Sequence, residues 1–192
     1  MATTERVDNQ AVKLLNVRLS YPKIWKAEYF DENEPQGKKR FSAAFHIEPG
    51  SDNFKRIEHA IETAAAEKFK DKAPKLLKGF RGNSNKFCFI DGDTKNDDTA
   101  EGVWVLSSHR NEDQGRPGIY DRDKTPLSAE DGRPYAGCYV NAMVEIWAQD
   151  GTNSGVRCKL LSMQFYKDGE AFSGGRKPQA DDYEVVEEEE LA

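Results

Sequence analysis

The chain has 192 residues, 37% of them hydrophobic, with 28 bases against 34 acids and a net charge of −6. That length fits one domain, and the hydrophobic share lies below the ~45–50% of average globular chains, which predicts a small core under long polar loops. No apolar run approaches the ~18 residues of a membrane span, the polar stretch from Met1 to Gln10 lacks the apolar region of a secretory leader, and three scattered cysteines, Cys88, Cys138 and Cys158, argue for a reducing, cytoplasmic setting rather than a disulfide framework.

Val12 to Ser20 reads as a strand whose phase flips between Leu14 and Leu15, the mark of a bulge or of a strand that bends between two sheet surfaces. Ile24 to Phe30 and Lys39 to Ile47 read as a hairpin around the polar turn Asp31 to Gly37. In the second arm Phe41, Ala43, Phe45 and Ile47 alternate with Ser42, Ala44 and His46. Ser51 or Asp52 can cap a helix in which Phe54, Ile57, Ile61, Ala64 and Phe69 share a face, and which ends by Pro74. Short strands follow at Phe87 to Ile90 and Val103 to Ser107, with an Asp/Gly/Asn-rich loop between them. His109 to Gly137 reads as a long irregular stretch. Tyr139 to Trp147 alternates cleanly, with Val140, Ala142, Val144 and Ile146 on one face. Val156 to Tyr166 is a further strand with a phase switch between Leu160 and Leu161, and Asp168-Gly169 reads as a turn.

Strands that bend between two surfaces, with one major helix after the third strand, predict a mainly β fold: a five-stranded oligonucleotide/oligosaccharide-binding (OB) barrel with long loops and extra strands. An immunoglobulin-like sandwich competes, but it has no need of a capped helix of about 18 residues. The expected organisation is a flexible N-terminus over 1–10, the barrel domain over 11–175 and a disordered acidic tail over 176–192.

That tail changes the charge reading. Asp181, Asp182, Glu184, Glu187, Glu188, Glu189 and Glu190 hold seven of the 34 acids and none of the 28 bases, so residues 1–180 carry 27 acids and net +1. A segment so charged repels itself and buries too little to offset its ordering entropy. It is either a solubilising tail or an arm that mimics nucleic acid and competes for a basic groove on its own body.

The chain lacks the patterns of several chemistries. His46, His59 and His109 are far apart and none stands at ligand spacing from a cysteine. Asp91 to Asp98 resembles a calcium loop but puts Lys95, Asn96 and Gly102 where a ligand, a glycine and the bidentate Glu belong, so it reads as a solvated turn. There is no phosphate loop or dinucleotide fingerprint, and Ser107-Ser108-His109 is adjacency rather than a catalytic geometry. No enzyme, metal or cofactor is expected.

What recurs is aromatics interleaved with bases: Tyr21 to Phe30, Lys38 to Phe41, Phe80 to Lys86, Trp104 to Arg110, Arg116 to Tyr135, and Lys159 to Lys167. Single-strand binders need both, because cations track phosphates while aromatic faces stack on bases with little regard for sequence. The expected nucleic-acid contacts are Lys38, Lys39, Arg40, Arg81, Trp104, Arg110, Arg116, Tyr120, Arg122 and Tyr135. Phe41, Phe45, Phe54, Phe69, Phe87 and Phe89 fit the core instead, and Trp25, Trp104 and Trp147 suit either role.

Three motifs in order, Arg116-Pro117-Gly118-Ile119-Tyr120-Asp121, Tyr135 to Ala142 and Gln164 to Glu170, followed by the acidic tail, resemble the phage replication single-stranded-DNA-binding proteins, a family long filed as a domain of unknown function. The resemblance spans about Val12 to the tail. It implies an OB fold, binding of single-stranded DNA without sequence preference in the host cytoplasm, and a tail that contacts replication partners such as polymerase or helicase. Related phage and bacterial tails end in an aromatic, whereas this chain ends in Leu191-Ala192 with Tyr183 its one tail aromatic. Self-association stays open. A strand-annealing protein of recombination would use the same surface, and an acidic DNA-mimic or accessory protein would use the tail itself.

Overall fold

The computed structural model describes residues 11–30, 33 and 37–172. The expected N-terminal arm over 1–10 and the acidic tail lie outside these residues. The two strands expected over Val12–Ser20 and Ile24–Phe30 are one long strand, β1 (Ala11–Glu28). Its pairing register slips between Leu14 and Val17 against one neighbour, and between Ser20 and Lys23 against the other. Asn16 and Tyr21 sit at these slips with φ of 52° and 45°, which non-glycine residues adopt seldom. The bulge keeps Val12, Leu14, Val17 and Leu19 buried and leaves Leu15 43% exposed.

β1 therefore serves two neighbours. Its second half pairs with β2 (Arg40–Ile47) and its first half with β6 (Tyr139–Gln149). β2 continues to β4 (Trp104–Asn111), and β6 to β7 (Gly155–Lys167). A parallel contact of His109 with Lys159 joins β4 to β7 and closes a five-stranded barrel, β4-β2-β1-β6-β7. This is the OB architecture. Two short strands are added outside it: β3 (Phe89–Asp91) on β4, and β5 (Gly118–Tyr120) parallel to β7. In β7 the phase switch is a bulge at Leu161, since Met143 faces Ser162 but Val144 faces Leu160.

The major helix, α1 (Asp52–Phe69), starts at Ser51, whose hydroxyl accepts from the Phe54 amide at 3.2 Å. Its buried face of Ile57, Ala60, Ile61, Ala64, Ala65 and Phe69 packs on β1 and β6. Because β1 is one strand, this helix follows the second barrel strand and not the third. A tight turn then leads into α2 (Ala73–Phe80), where Pro74 occupies the first turn, a place where its missing N–H costs nothing.

The stretch expected to be irregular from His109 is strand as far as Asn111 and again in β5. Periodicity could not show this, because Ser108 and Arg110 on one face and His109 and Asn111 on the other are all polar. Asp168-Gly169 does not fold back into a turn; the chain runs on beside Ala136, whose carbonyl accepts from the Phe172 amide at 3.1 Å. The core is built on Phe45, Phe87, Phe89, Phe165, Leu14, Leu19 and Ile24. The three cysteines are free and buried within it, and burial pushes the Cys88 thiol up to about 12, so it stays protonated. Among the described residues no helix is long and apolar enough to cross a membrane.

Candidate nucleic-acid interface

Alternation on β2 sends Ala43, Phe45 and Ile47 into the core and leaves Arg40, Ser42, Ala44 and His46 on the outer face. The register sets Ser42 beside His109, Ala44 beside Ser107 and His46 beside Val105 on β4. The outer face of this strand pair is thus floored by small side chains. Three adjoining cavities run along it. The largest, about 680 Å³, is walled by Lys23, Tyr29 and Phe30 of the β1 end, by Lys95 and by Arg157. It shares Ser42, Lys95 and Ser107 with a cavity of about 200 Å³ under Tyr21, and His109 with one of about 230 Å³ under Trp147 and Lys159. Together they form one trough across the barrel wall.

The loop that carries Lys95 to this wall is fixed by backbone bonds to carboxylates. Asp91 accepts from the Asp93 amide at 3.1 Å, Asp97 from the Thr99 amide at 3.0 Å and Asp93 from the Gly102 amide at 2.7 Å. Those acids organise a turn rather than a cation site. Gly92 has to be glycine here, since a Cβ would collide with the carbonyl oxygens of Ala100 and Val103.

Cations outnumber carboxylates in the trough: Lys23, Arg40, Lys95, Arg110, Arg157 and Lys159 stand against Glu28, Asp97 and Glu145, and Glu28 is paired with Lys23 at 2.7 Å. Arg40, Lys95, Arg157 and Lys159 have no carboxylate within ion-pair distance among the described residues. The Arg157 guanidinium bonds to the carbonyls of Asn85 and Asn153, which orient it without cancelling its charge. Burial, helped by Arg40 and Arg157, pushes the His109 imidazole down to about 4, so it is neutral at pH 7. Aromatic faces line the same trough: Phe30 is 94% exposed, Tyr29 carries Lys39 over its ring at 5.3 Å, and Trp147 is half-buried on the outer face of β6. Cations for phosphates and flat faces for bases therefore share one strip of surface.

The model of the family described as the Enterobacter phage Enc34 ssDNA-binding protein matches residues 10–192. The chain belongs to this Enc34 family. A protein of Acyrthosiphon pisum secondary endosymbiont phage 1, p50, is 38% identical over 185 residues, covering 94% of this chain and 97% of that one. The fold is shared with solved structures. The single-stranded DNA-binding protein of bacteriophage Enc34, in complex with ssDNA, aligns with a TM-score of 0.70 at 23% identity, over 88% of this chain and 97% of that one. The single-stranded DNA-binding protein gp2.5 of bacteriophage T7 aligns with a TM-score of 0.55 at 10% identity, over 90% of this chain and all of that one.

In this Enc34-family member the residues singled out from sequence separate into groups. Arg40 stands in the trough, and Arg110 borders its Trp147 end while holding the turn at Gln114 and Gly115 with two 2.8 Å bonds to their carbonyls. Lys38 is paired with Asp113 at 2.8 Å. Arg116 lies over Trp25 at 5.2 Å and Arg122 over Phe165 at 5.4 Å. Arg81 makes two bonds to the Glu58 carboxylate, at 3.0 and 2.7 Å, and so ties the end of α2 to α1. Trp104 packs its ring 5.4 Å from Phe54 and 5.1 Å from Phe89, on the core side of β4. The Tyr135 hydroxyl donates to Asp168 at 2.8 Å and clamps the end of β7. Tyr120 lines a separate cavity on the outer face of β6 and β7. The tail acids lie outside the described residues.

The trough also holds residues that sequence reasoning left off its site: Lys95, Trp147, Arg157 and Lys159. One signal for them was available. Arg157 and Lys159 alternate with the buried Val156, Cys158 and Leu160, and so point outward together, while Trp147 is the cross-strand partner of Arg157.

Proposed function

We propose that this protein coats single-stranded DNA, with little dependence on sequence, during phage DNA replication or recombination. The strand lies in the β2/β4 trough, its phosphates against Arg40, Lys95, Arg157 and Lys159 and its bases against Tyr29, Phe30 and Trp147. The observation that carries this reading is the strip of aromatics and of cations without carboxylate partners among the described residues, on the face through which OB barrels generally take oligonucleotides. Membership of the Enc34 family supports it.

The acidic tail is the regulator in this reading. Phe172, the last described residue before it, lies 4.4 Å from the Arg18 guanidinium and 5.5 Å from the His46 ring, and His46 lines the trough. The described chain thus ends beside one end of the surface that the tail would compete for. When DNA displaces it, it is free to recruit replication proteins.

The test is a fluorescence titration of oligo-dT against wild type and the Arg157→Ala/Lys159→Ala double variant at several salt concentrations. Each lost phosphate contact lowers the slope of log K against log salt by ~0.7, so the double variant should lose about 1.4 in slope and bind at least tenfold more weakly at low salt. An unchanged slope would place the strand elsewhere.

A further inference from the structure

The Tyr21 end of the trough differs from the rest. Tyr21 is 65% exposed at a φ of 45°, a strained placement for an aromatic residue, and such placements gather at functional sites. Its hydroxyl donates across the cavity edge to Oδ2 of Asp97 at 3.0 Å. Oδ1 of Asp97 is already engaged twice, by the Thr99 amide at 3.0 Å and the Thr99 hydroxyl at 2.7 Å. Each carboxylate oxygen has about two lone-pair sites, so one site on Oδ2 is left for an incoming N–H. On the same cavity wall, His46 is 7% exposed and its Nε2 has no partner among the described residues. A buried polar atom left unpaired is costly until a ligand pairs it. The cavity of about 200 Å³ has room for one flat ring.

We propose that this pocket takes one base of the bound strand and favours bases that carry an exocyclic amino group over those that do not. The proposal rests on the single-strand reading above. The base stacks on Tyr21 and offers its Watson–Crick edge to Asp97 and His46, with Lys95 beside it for the phosphate. An ionised carboxylate only accepts, so it pairs with the amino group of cytosine, adenine or guanine. Thymine and uracil present an N3–H between two carbonyl oxygens, and those oxygens face the carboxylate unfavourably. Hydrogen bonds from Thr99 and Tyr21 outweigh the partial burial of Asp97 and hold it below the usual carboxylate range, so it is ionised at pH 7. The trough as a whole stays tolerant of sequence, and one position in each bound stretch is biased.

Deoxyuridine and deoxycytidine differ only at this edge, an O4 carbonyl and N3–H against a 4-amino group and a bare N3, so they isolate the contact. The experiment measures binding of a dU 12-mer and of the same oligomer with one central dC, to the full chain. Sliding lets the protein place the dC in its pocket. The dC oligomer should bind at least about tenfold tighter, the size of one hydrogen bond to a charged group. Asp97→Asn, which keeps the local turn but adds a donor, should remove or invert the preference while both oligomers still bind. Tyr21→Phe keeps the stack and should keep the preference. Equal binding of the two oligomers by wild type overturns the pocket alone, as does a preference undiminished in Asp97→Asn. Failure to bind either oligomer overturns the single-strand reading and the pocket with it.

Discussion

Two outer faces of one barrel differ in kind. The β2/β4 face is a trough floored by Ser42, Ala44 and Ser107 and edged by cations, of which Arg40, Lys95, Arg157 and Lys159 have no carboxylate partner among the described residues. The β6/β7 face holds a cavity of about 380 Å³ lined largely by the apolar parts of Tyr120, Met143 and Met163, with Lys13 and Lys124 beside them. Each offers aromatic surface and positive charge. Only the first strings them along three adjoining cavities, whereas the second is a single hollow. Aromatic residues near bases in sequence therefore do not by themselves mark a continuous strip of surface; a floor of small side chains between them does.

The sharpest way to break this comparison is through two tryptophans. Trp104 faces Phe54 and Phe89, so Trp104→Ala should cost about 3 kcal/mol of stability, read by denaturant unfolding, and change oligo-dT affinity little once folded. Trp147 faces the trough, so Trp147→Ala should cost ~1–3 kcal/mol of binding and little stability. Reversed outcomes would exchange the roles of the two faces of β4 and β6.

The buried imidazoles give a pH signature confined to the trough. His109 is held at about 4 in the folded chain against ~6.5 unfolded, and His46 is also lowered, chiefly by burial. Between those values the unfolded chain binds more protons, so stability rises with pH there and is lost as pH falls from about 6.5 toward 4. His109→Gln should flatten that loss by about 1–3 kcal/mol in melts across this range. Bound phosphate beside Arg40 and Arg157 opposes their field, so an oligonucleotide should raise the His109 pKa in an NMR titration. A value unmoved by DNA would argue that no phosphate approaches those arginines.

Deleting Asp181 to Ala192 should tighten binding at low salt by about fivefold, an effect that fades as salt screens tail and DNA alike. Titrations of full-length and truncated chains at two salt concentrations decide it; equal low-salt affinities would leave the tail a partner-binding or solubilising segment. The smallest effect is expected on the other face. Tyr120→Ala and Lys124→Ala should each change oligo-dT affinity by less than about 0.5 kcal/mol, as surface changes away from a site do. A loss of 1 kcal/mol or more would extend the strand's path to the cavity of Tyr120, Met143 and Met163.

The barrel was legible because burial writes itself into short-range periodicity. The alternation of Phe41 to Ile47 and Tyr139 to Trp147, the phase breaks at Leu14–Leu15 and Leu160–Leu161, and the cap at Ser51 each reflect a local rule that packing did not override. Charge segregation into the tail was equally plain, since it needs only counting. The site was less legible. Arg81, Arg116, Trp104 and Tyr135 have the right chemistry, but what each contacts depends on partners 20 or more residues away in sequence: Glu58, Trp25, Phe54 and Asp168. Trp147, Arg157 and Lys159 adjoin through the β6–β7 pairing, and the β4–β7 contact that closes the sheet brings them beside Arg40 and Lys95. Whether a cation is spent on a neighbour or left for a phosphate is decided by that closure, which no local pattern encodes.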